Sequence, residues 1–409
     1  MGTVEVNVDP RAFGVDPSQL ARVEEHFNVY VNDCRLPGWL ATVARGGEIV
    51  WKGSGGWRDR EAKLPVTDDT IWRIASMTKP LTSIAAMMLY EEGRFDLNDD
   101  VGRWIDSFRS PRVYVGGTPA KPQTVPAVEP VRVHHLLTHM SGLTYGFQNT
   151  HPVDAMYRAK GYDFGYPGGA DLAQAVDDWI ELPLLFQPGS GWNYSVGVDV
   201  LGRLVELWSG QRLDTFIKER ITDPLAMTDT HWWCPPEKAD RLASAYVPSR
   251  DGSRLLEAAT SSALREPLLL SGGGGLLSTA HDYHRFATML LRGGELDGVR
   301  LLSQRTLDLM TRNHLPRDQD LESTASGQFA ETDYAGVGFG LGFSVAIDQA
   351  KNKSLVSEGT FGWGGAFSTV FWVDPAEDLT VSFFTQLLPS STYKIRRELQ
   401  RLVYPALVD

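Results

Sequence analysis

The chain has little cysteine: two residues in 409, Cys34 and Cys234. Two thiols make no disulfide framework. No apolar run reaches the length of a membrane span. Basic charge is also in deficit, with 39 Lys and Arg against 51 Asp and Glu and a formal charge of −12. That balance, with no basic cluster to offset it, argues against nucleic acid as a partner. The acidic run at residues 96–100 is broken by apolar residues and reads as solvated turns. Nine histidines are scattered without an H-E-x-x-H. His281 and His284 have no Cys or carboxylate array of zinc spacing nearby, so no metal and no cofactor is expected. No G-x-S-x-G occurs, which leaves an α/β-hydrolase elbow unsupported. The first residues carry neither a basic n-region nor an apolar h-region, so a cytoplasmic location with reduced thiols is expected. Cys34 reads as a small core residue late in the first helix.

What is present is the composition of a soluble globular protein, 42% hydrophobic and 22% charged. The most informative segment is Ser76-Met77-Thr78-Lys79. At a helix start this spacing puts a hydroxyl and an amine on one face, one turn apart. Burial of that face penalises the charged amine, and a neutral lysine can take the proton of a serine. The flank decides whether the face is buried. Residues 80–90 are apolar nearly all round, Pro80 suits a first turn, and Gly93 suits a C-terminal cap. A second S-x-x-K, Ser391 to Lys394, serves as a control. It opens an amphipathic helix with Arg396, Arg397 and Arg401, so Lys394 is expected in water.

Along the chain, Asp16-Pro17 caps a helix with Leu20, Val23, Phe27 and Tyr30 on one face. Residues 38–52 read as a hairpin turning at Gly46-Gly47. Residues 110–130 read as a long aperiodic loop, 131–143 as a short helix stopped by Gly142, and 197–221 as helical. Residues 145–190 are rich in aromatics, Gly and Pro around a helix at 171–182, the character of a lid or a pocket wall. The last third returns to strand: 336–345 alternates Gly with apolar residues, and 366–373 and 379–384 flank a turn. The expected architecture is α+β, one antiparallel sheet carrying helices with a helical insertion between its halves.

Two further segments carry chemistry. Tyr194 lies in a Gly-flanked turn, Gly189 to Gly197. Its phenol either projects into a cleft as a proton acceptor or packs with its hydroxyl on a backbone carbonyl. The glycines at 359–365 either let a strand approach a ligand, completing an oxyanion hole with the Ser76 N–H, or mark a bulge.

Taken together and in order, Ser76-Met77-Thr78-Lys79, His135-Leu136-Leu137-Thr138-His139-Met140-Ser141-Gly142-Leu143, Tyr194-Ser195-Val196, residues 271–279 and Trp363-Gly364-Gly365 resemble the serine β-lactamase and penicillin-binding-protein superfamily. Within it the chain is most similar to the class C-like esterases. The resemblance implies a single β-lactamase-like domain, with residues 1–105 and 266–409 as the sheet part and 106–265 as a mainly helical part, the active site between them. It implies Ser76 as acylated nucleophile, Lys79 sharing protons with Ser76 and Tyr194, Tyr194 as general base and then acid, and the N–H groups of Ser76 and Ala366 as oxyanion hole. Trp363, with Gly364 and Gly365, would line the substrate pocket; nearby aromatics, Trp192 and Phe361 among them, either point to an apolar substrate or belong to the core. The His139 region and the glycines at 272–275 look structural.

Two departures from the pattern matter. The lysine of the superfamily's K-T-G is Trp363 here, and the Asn often found third in the tyrosine motif is Val196. A less polar pocket suits a small, short- to medium-chain neutral ester better than an anionic β-lactam. The expected activity is that of a carboxylesterase-type serine hydrolase on small-molecule esters. Acyl transfer, or amide or β-lactam hydrolysis by the same residues, is the alternative, and a non-catalytic scaffold the remote one. Oligomeric state is not set by the sequence.

Overall fold

A computed structural model describes residues 4–163, 165–252, 254–258, 261–327 and 332–408. Its centre is an eight-stranded antiparallel sheet. In chain order the strands are β1 (Gly38–Arg45), β2 (Glu48–Asp59), β3 (Leu64–Pro65), β4 (Val337–Phe339), β5 (Ser344–Ala346), β6 (Phe361–Gly365), β7 (Thr369–Asp374) and β8 (Leu379–Thr385). Their spatial order is β4-β5-β6-β7-β8-β1-β2-β3. The two ends of the chain therefore meet in mid-sheet, where β1 pairs β8 with Ala41 opposite Phe383. The β1–β2 turn holds Gly46 and Gly47 at φ 61° and 80°, the pair of positive angles that a type I′ turn requires.

Both faces of the sheet are covered, as strand alternation dictates. Trp39, Ala41, Val43, Val381 and Phe383 face α1 (Pro17–Asn32) and α5 (Ile395–Val403). Asp16 caps α1 by accepting from Ser18 N–H, and Leu20, Val23, Phe27 and Tyr30 are its buried face. Leu40, Ala44, Phe371 and Phe384 face the other way, toward α2 (Thr78–Glu91) and α4 (Ala280–Leu291). There Tyr283 meets the Phe371 ring edge-on at 4.9 Å. In turn α2 packs against α3 (Gly197–Ser209). Among the described residues no helix is long and apolar enough to cross a membrane.

Several elements differ from the sequence reading. Residues 110–130 contain a hairpin, Arg112–Thr118 with Lys121–Pro126, rather than a loop. It is held to the body because Tyr114 N–H donates to Leu184 O and Leu184 N–H to Arg112 O, at 2.9 and 2.7 Å. The stretch 336–345 is two strands, β4 and β5, broken where Gly342 turns at φ 96°. Ala366 sits in the turn between β6 and β7, before the second strand begins at Thr369. The helix near 131–143 spans only Val133–Leu137. Cys34 lies beyond the end of α1, half-buried at φ 56°, rather than in the helix and core. Two short strands, Tyr246–Pro248 and Leu255–Glu257, pair antiparallel, and Tyr246 packs in the sheet core.

Candidate active site

The site begins with a bend. The short strand Trp72–Arg73 pairs with Leu277–Ser278, and the chain then turns through Ala75 at φ 43° into a 3-10 turn, Ala75–Met77, that feeds α2. A non-glycine residue at positive φ needs surroundings that hold it there. Thr78 Oγ1 donates to Ala75 O at 2.6 Å and accepts from Leu276 N–H at 3.0 Å; Tyr283 OH donates to Met77 O at 2.9 Å. Ser76 thus presents its hydroxyl at the start of a helix that is buried from Thr78 to Leu89. It is 8% exposed and Lys79 is 2% exposed. Pro80 falls in the first turn, where no N–H is missed.

Lys79 Nζ donates to Ser76 Oγ at 3.3 Å and to Gly273 O at 2.6 Å. It also lies 4.5 Å from the centroid of the Tyr194 ring and 5.3 Å from that of Tyr145. Tyr194, itself buried, donates from its hydroxyl to Ser76 Oγ at 2.6 Å and accepts from Trp363 Nε1 at 3.4 Å. Serine, lysine and tyrosine, distant in sequence, are therefore one hydrogen-bonded cluster.

The turn that carries Tyr194 is held by the backbone around His139. Asn193 N–H donates to His139 O at 3.0 Å, Gly189 N–H to Met140 O at 2.8 Å, and Gln148 Nε2 to Tyr194 O. His139 takes φ 56° to offer that carbonyl, which is why the helix before it stops early. Its ring lies 4.9 Å from that of Tyr194. Burial, then the charge of Lys79, pushes the His139 imidazole well below its usual value.

The end of β6 closes against the serine turn. A Cβ on Gly365 would lie 2.3 Å from Ile74 O and 2.3 Å from Thr369 Oγ1, so only glycine lets the strand come this close. Thr369 Oγ1 donates to the same Ile74 carbonyl at 3.3 Å. Ala366, half-buried, follows directly in the turn. Gly364 is buried in β6. Trp192 is wholly buried, its ring 6.4 Å from that of Tyr194. Phe361 lies at the far end of β6 and meets Phe343 in the core at 5.2 Å.

Behind Lys79 lies a group that the sequence reading passed over. Asp199, on the first turn of α3, is wholly buried. Its Oδ1 accepts from Ser271 Oγ at 2.5 Å and from Gly273 N–H at 3.0 Å, and its Oδ2 from Tyr145 OH at 3.4 Å. The stretch 271–275 thus supplies the Lys79 acceptor as well as a tight turn. In sequence, Asp199 reads as an ordinary first-turn helix acid. The only hint is its place among apolar neighbours, Val198, Val200 and Leu201.

The Beta-lactamase family model matches residues 21–404. The chain belongs to that family. Its relatives place it in the serine β-lactamase and penicillin-binding-protein superfamily, on the branch with esterase-type members. Esterase EstB of Burkholderia gladioli is 32% identical over 397 residues, 93% of each chain. Protein Rv1367c of Mycobacterium tuberculosis is 36% identical over 361 residues, 87% of this chain and 86% of its own. Among solved structures, simvastatin synthase LovD from Aspergillus terreus superposes with a TM-score of 0.79 at 25% identity, covering 94% of this chain and 98% of its own.

Proposed function

We propose that the protein is a carboxylesterase-type serine hydrolase that cleaves small, uncharged carboxylic esters through an acyl-enzyme on Ser76. One observation carries the reading: Ser76 Oγ is shared between the Tyr194 hydroxyl at 2.6 Å and the Lys79 amine at 3.3 Å. A serine hydroxyl becomes a competent nucleophile when a base stands within hydrogen-bond reach.

In the proposed cycle Tyr194 enters as the phenolate, its own proton released to water, and takes the Ser76 proton as Oγ attacks the ester carbonyl carbon. Trp363 Nε1 donates to the Tyr194 oxygen and the Lys79 amine lies over the Tyr194 ring, and both favour the phenolate that starts the cycle. The carbonyl oxygen, now an oxyanion, takes the N–H groups of Ser76 and Ala366. The close approach of Gly365 to Ile74 supports that pairing, because it brings the turn after β6 beside the turn before α2. When the C–O bond to the alcohol breaks, Tyr194 returns the proton to the leaving alkoxide. Water then attacks the acyl-enzyme, gives its proton to Tyr194, and the carboxylic acid leaves as Ser76 recovers that proton. An alcohol in place of water gives a new ester by the same steps. The kinship with EstB and LovD, named as an esterase and a synthase, supports both outcomes. Trp363 and Val196 support neutral esters over β-lactams, since neither offers a charge or an amide to an anionic, acylamino substrate.

The test is turnover of para-nitrophenyl acetate, butyrate and octanoate, with nitrocefin in parallel. We expect ester hydrolysis to exceed nitrocefin hydrolysis, and Ser76→Ala to lower kcat by at least about 10⁴-fold. Ester turnover that survives in Ser76→Ala sinks the nucleophile assignment. Nitrocefin turnover equal to ester turnover sinks the selectivity argument.

A further inference from the structure

We infer that Asp199 is a positioning residue of this site: its buried carboxylate is the counter-charge of Lys79, and it clamps Gly273, whose carbonyl aims the ammonium at Ser76. The inference rests on the proposed Ser76 chemistry and adds a charge that the cycle above does not use.

Gly273 is gripped from both sides. Its N–H donates to Asp199 Oδ1 at 3.0 Å, and its carbonyl accepts from Lys79 Nζ at 2.6 Å. The grip leaves no room for a side chain, since a Cβ on Gly273 would sit 2.3 Å from Asp199 Oδ2 and 2.9 Å from the Tyr145 hydroxyl. Asp199 itself is held by Ser271 Oγ at 2.5 Å and Tyr145 OH at 3.4 Å. Tyr166 OH donates in turn to Ser271 Oγ at 2.9 Å. These donors fix the carboxylate in one place.

Positioning alone needs no charge, because an Asn oxygen could accept the Ser271 and Gly273 bonds. A carboxylate buried without an opposite charge is costly, so its presence calls for one. Burial pushes the Asp199 carboxyl up, and the charge of Lys79 is the strongest influence drawing it back. The attraction is mutual: an ionised Asp199 keeps Lys79 an ammonium in a dry site. A lysine held as an ammonium leaves the Ser76 proton to the Tyr194 oxygen. The titratable groups packed around this pair are Tyr194 from the turn before α3, Tyr145 and His139 from the loops after Val133–Leu137, and Tyr166 through Ser271.

The experiment is the pH profile of kcat/KM on para-nitrophenyl butyrate for the intact protein, Asp199→Asn and Ser271→Ala. Removing the negative charge moves the limb that reports the Lys79–Tyr194 pair about one pH unit toward acid. It also lowers kcat about tenfold or more, while KM stays within about threefold. Ser271→Ala removes a donor and keeps the charge, so its limb stays in place. An unmoved limb in Asp199→Asn, or an equal shift in Ser271→Ala, overturns the inference. If Asp199→Asn does not fold, thermal melts carry the test. Lys79→Gln strands the buried carboxylate and lowers Tm, and Lys79→Gln with Asp199→Asn recovers part of the loss. A double variant no more stable than Lys79→Gln also overturns the inference. Labelling of Ser76 by a fluorophosphonate, read by mass spectrometry, separates the two ideas. Unlabelled Ser76 breaks the proposed function, whereas labelled Ser76 with an unmoved limb breaks only the role of Asp199.

Discussion

Single residues decide what this site can do, and Trp363 is the clearest case. Its place on β6 is where the superfamily pattern carries a lysine, and its indole N–H reaches Tyr194 OH at 3.4 Å. One side chain therefore removes a cation from the pocket and adds a donor to the proposed base. Trp363→Phe keeps an aromatic ring and deletes the donor. A neutral hydrogen bond is worth ~1 kcal/mol, so kcat should fall about fivefold with KM little changed. Steady-state kinetics on para-nitrophenyl butyrate check this, and an unchanged kcat would detach Trp363 from the base. The same scale shows what was legible in the sequence. Ser76 and Lys79 could be read because an apolar flank follows them, and that flank is the buried face of α2. The control motif reads equally well, for Ser391 and Lys394 are exposed. Asp199 was not legible. Its partners Gly273 and Ser271 are more than seventy residues away along the chain, and no local pattern records that separation.

At the scale of elements, the junction of β6 with the serine turn is the tightest joint in the site. Gly365→Ala would put a Cβ 2.3 Å from Ile74 O, a backbone atom that cannot swing aside as a side chain can. Either β6 or the 3-10 turn must move. The 3-10 turn carries one proposed oxyanion donor and β6 leads directly into the other, so kcat should fall about 10²-fold, the order seen when one such donor is lost. Circular dichroism would separate this local effect from unfolding, and full activity in Gly365→Ala would show that the two segments need not meet. Elements also show where sequence reading stops. The β1–β2 hairpin and α1 follow from local rules, a Gly-Gly turn and an Asp-Pro cap. The hairpin at 112–126 does not: Gly116, Gly117, Pro122 and Pro126 look like loop residues, and the pairing with Leu184 that anchors it is tertiary. The early end of Val133–Leu137 has a similar cause, since the chain there serves the Tyr194 turn instead of continuing its helix.

For the whole molecule, the histidines couple folding to pH. Burial first, then neighbouring His314 and His135, pushes His134 down to about 4. Burial, then Arg132, does the same to His135, and burial, then His281, to His284, each to about 4. An unfolded histidine titrates near 6.5. Between that value and about 4 the unfolded chain therefore holds protons that the folded chain excludes, and the contribution of these histidines to stability falls as pH falls. Each such group contributes up to ~1.4 kcal/mol per pH unit in that window. The paired carboxylates act lower. Burial raises Asp229, but Arg241 and Lys238 outweigh it and hold it at about 2, so its contribution is lost only below pH ~4. Net charge works against the histidine trend, because a chain of formal charge −12 loses self-repulsion as it nears its isoelectric point of about 5.3. The two effects have opposite signs, which makes the experiment decisive. If buried histidines dominate, the urea midpoint drops from pH 7.5 to pH 6 and further at pH 4.5. If relief of repulsion dominates, the midpoint rises toward pH 6. His284→Gln should flatten the slope, because it removes one of the proton-excluding groups while keeping a polar side chain; an unchanged slope in that variant would show that His284 does not titrate with unfolding.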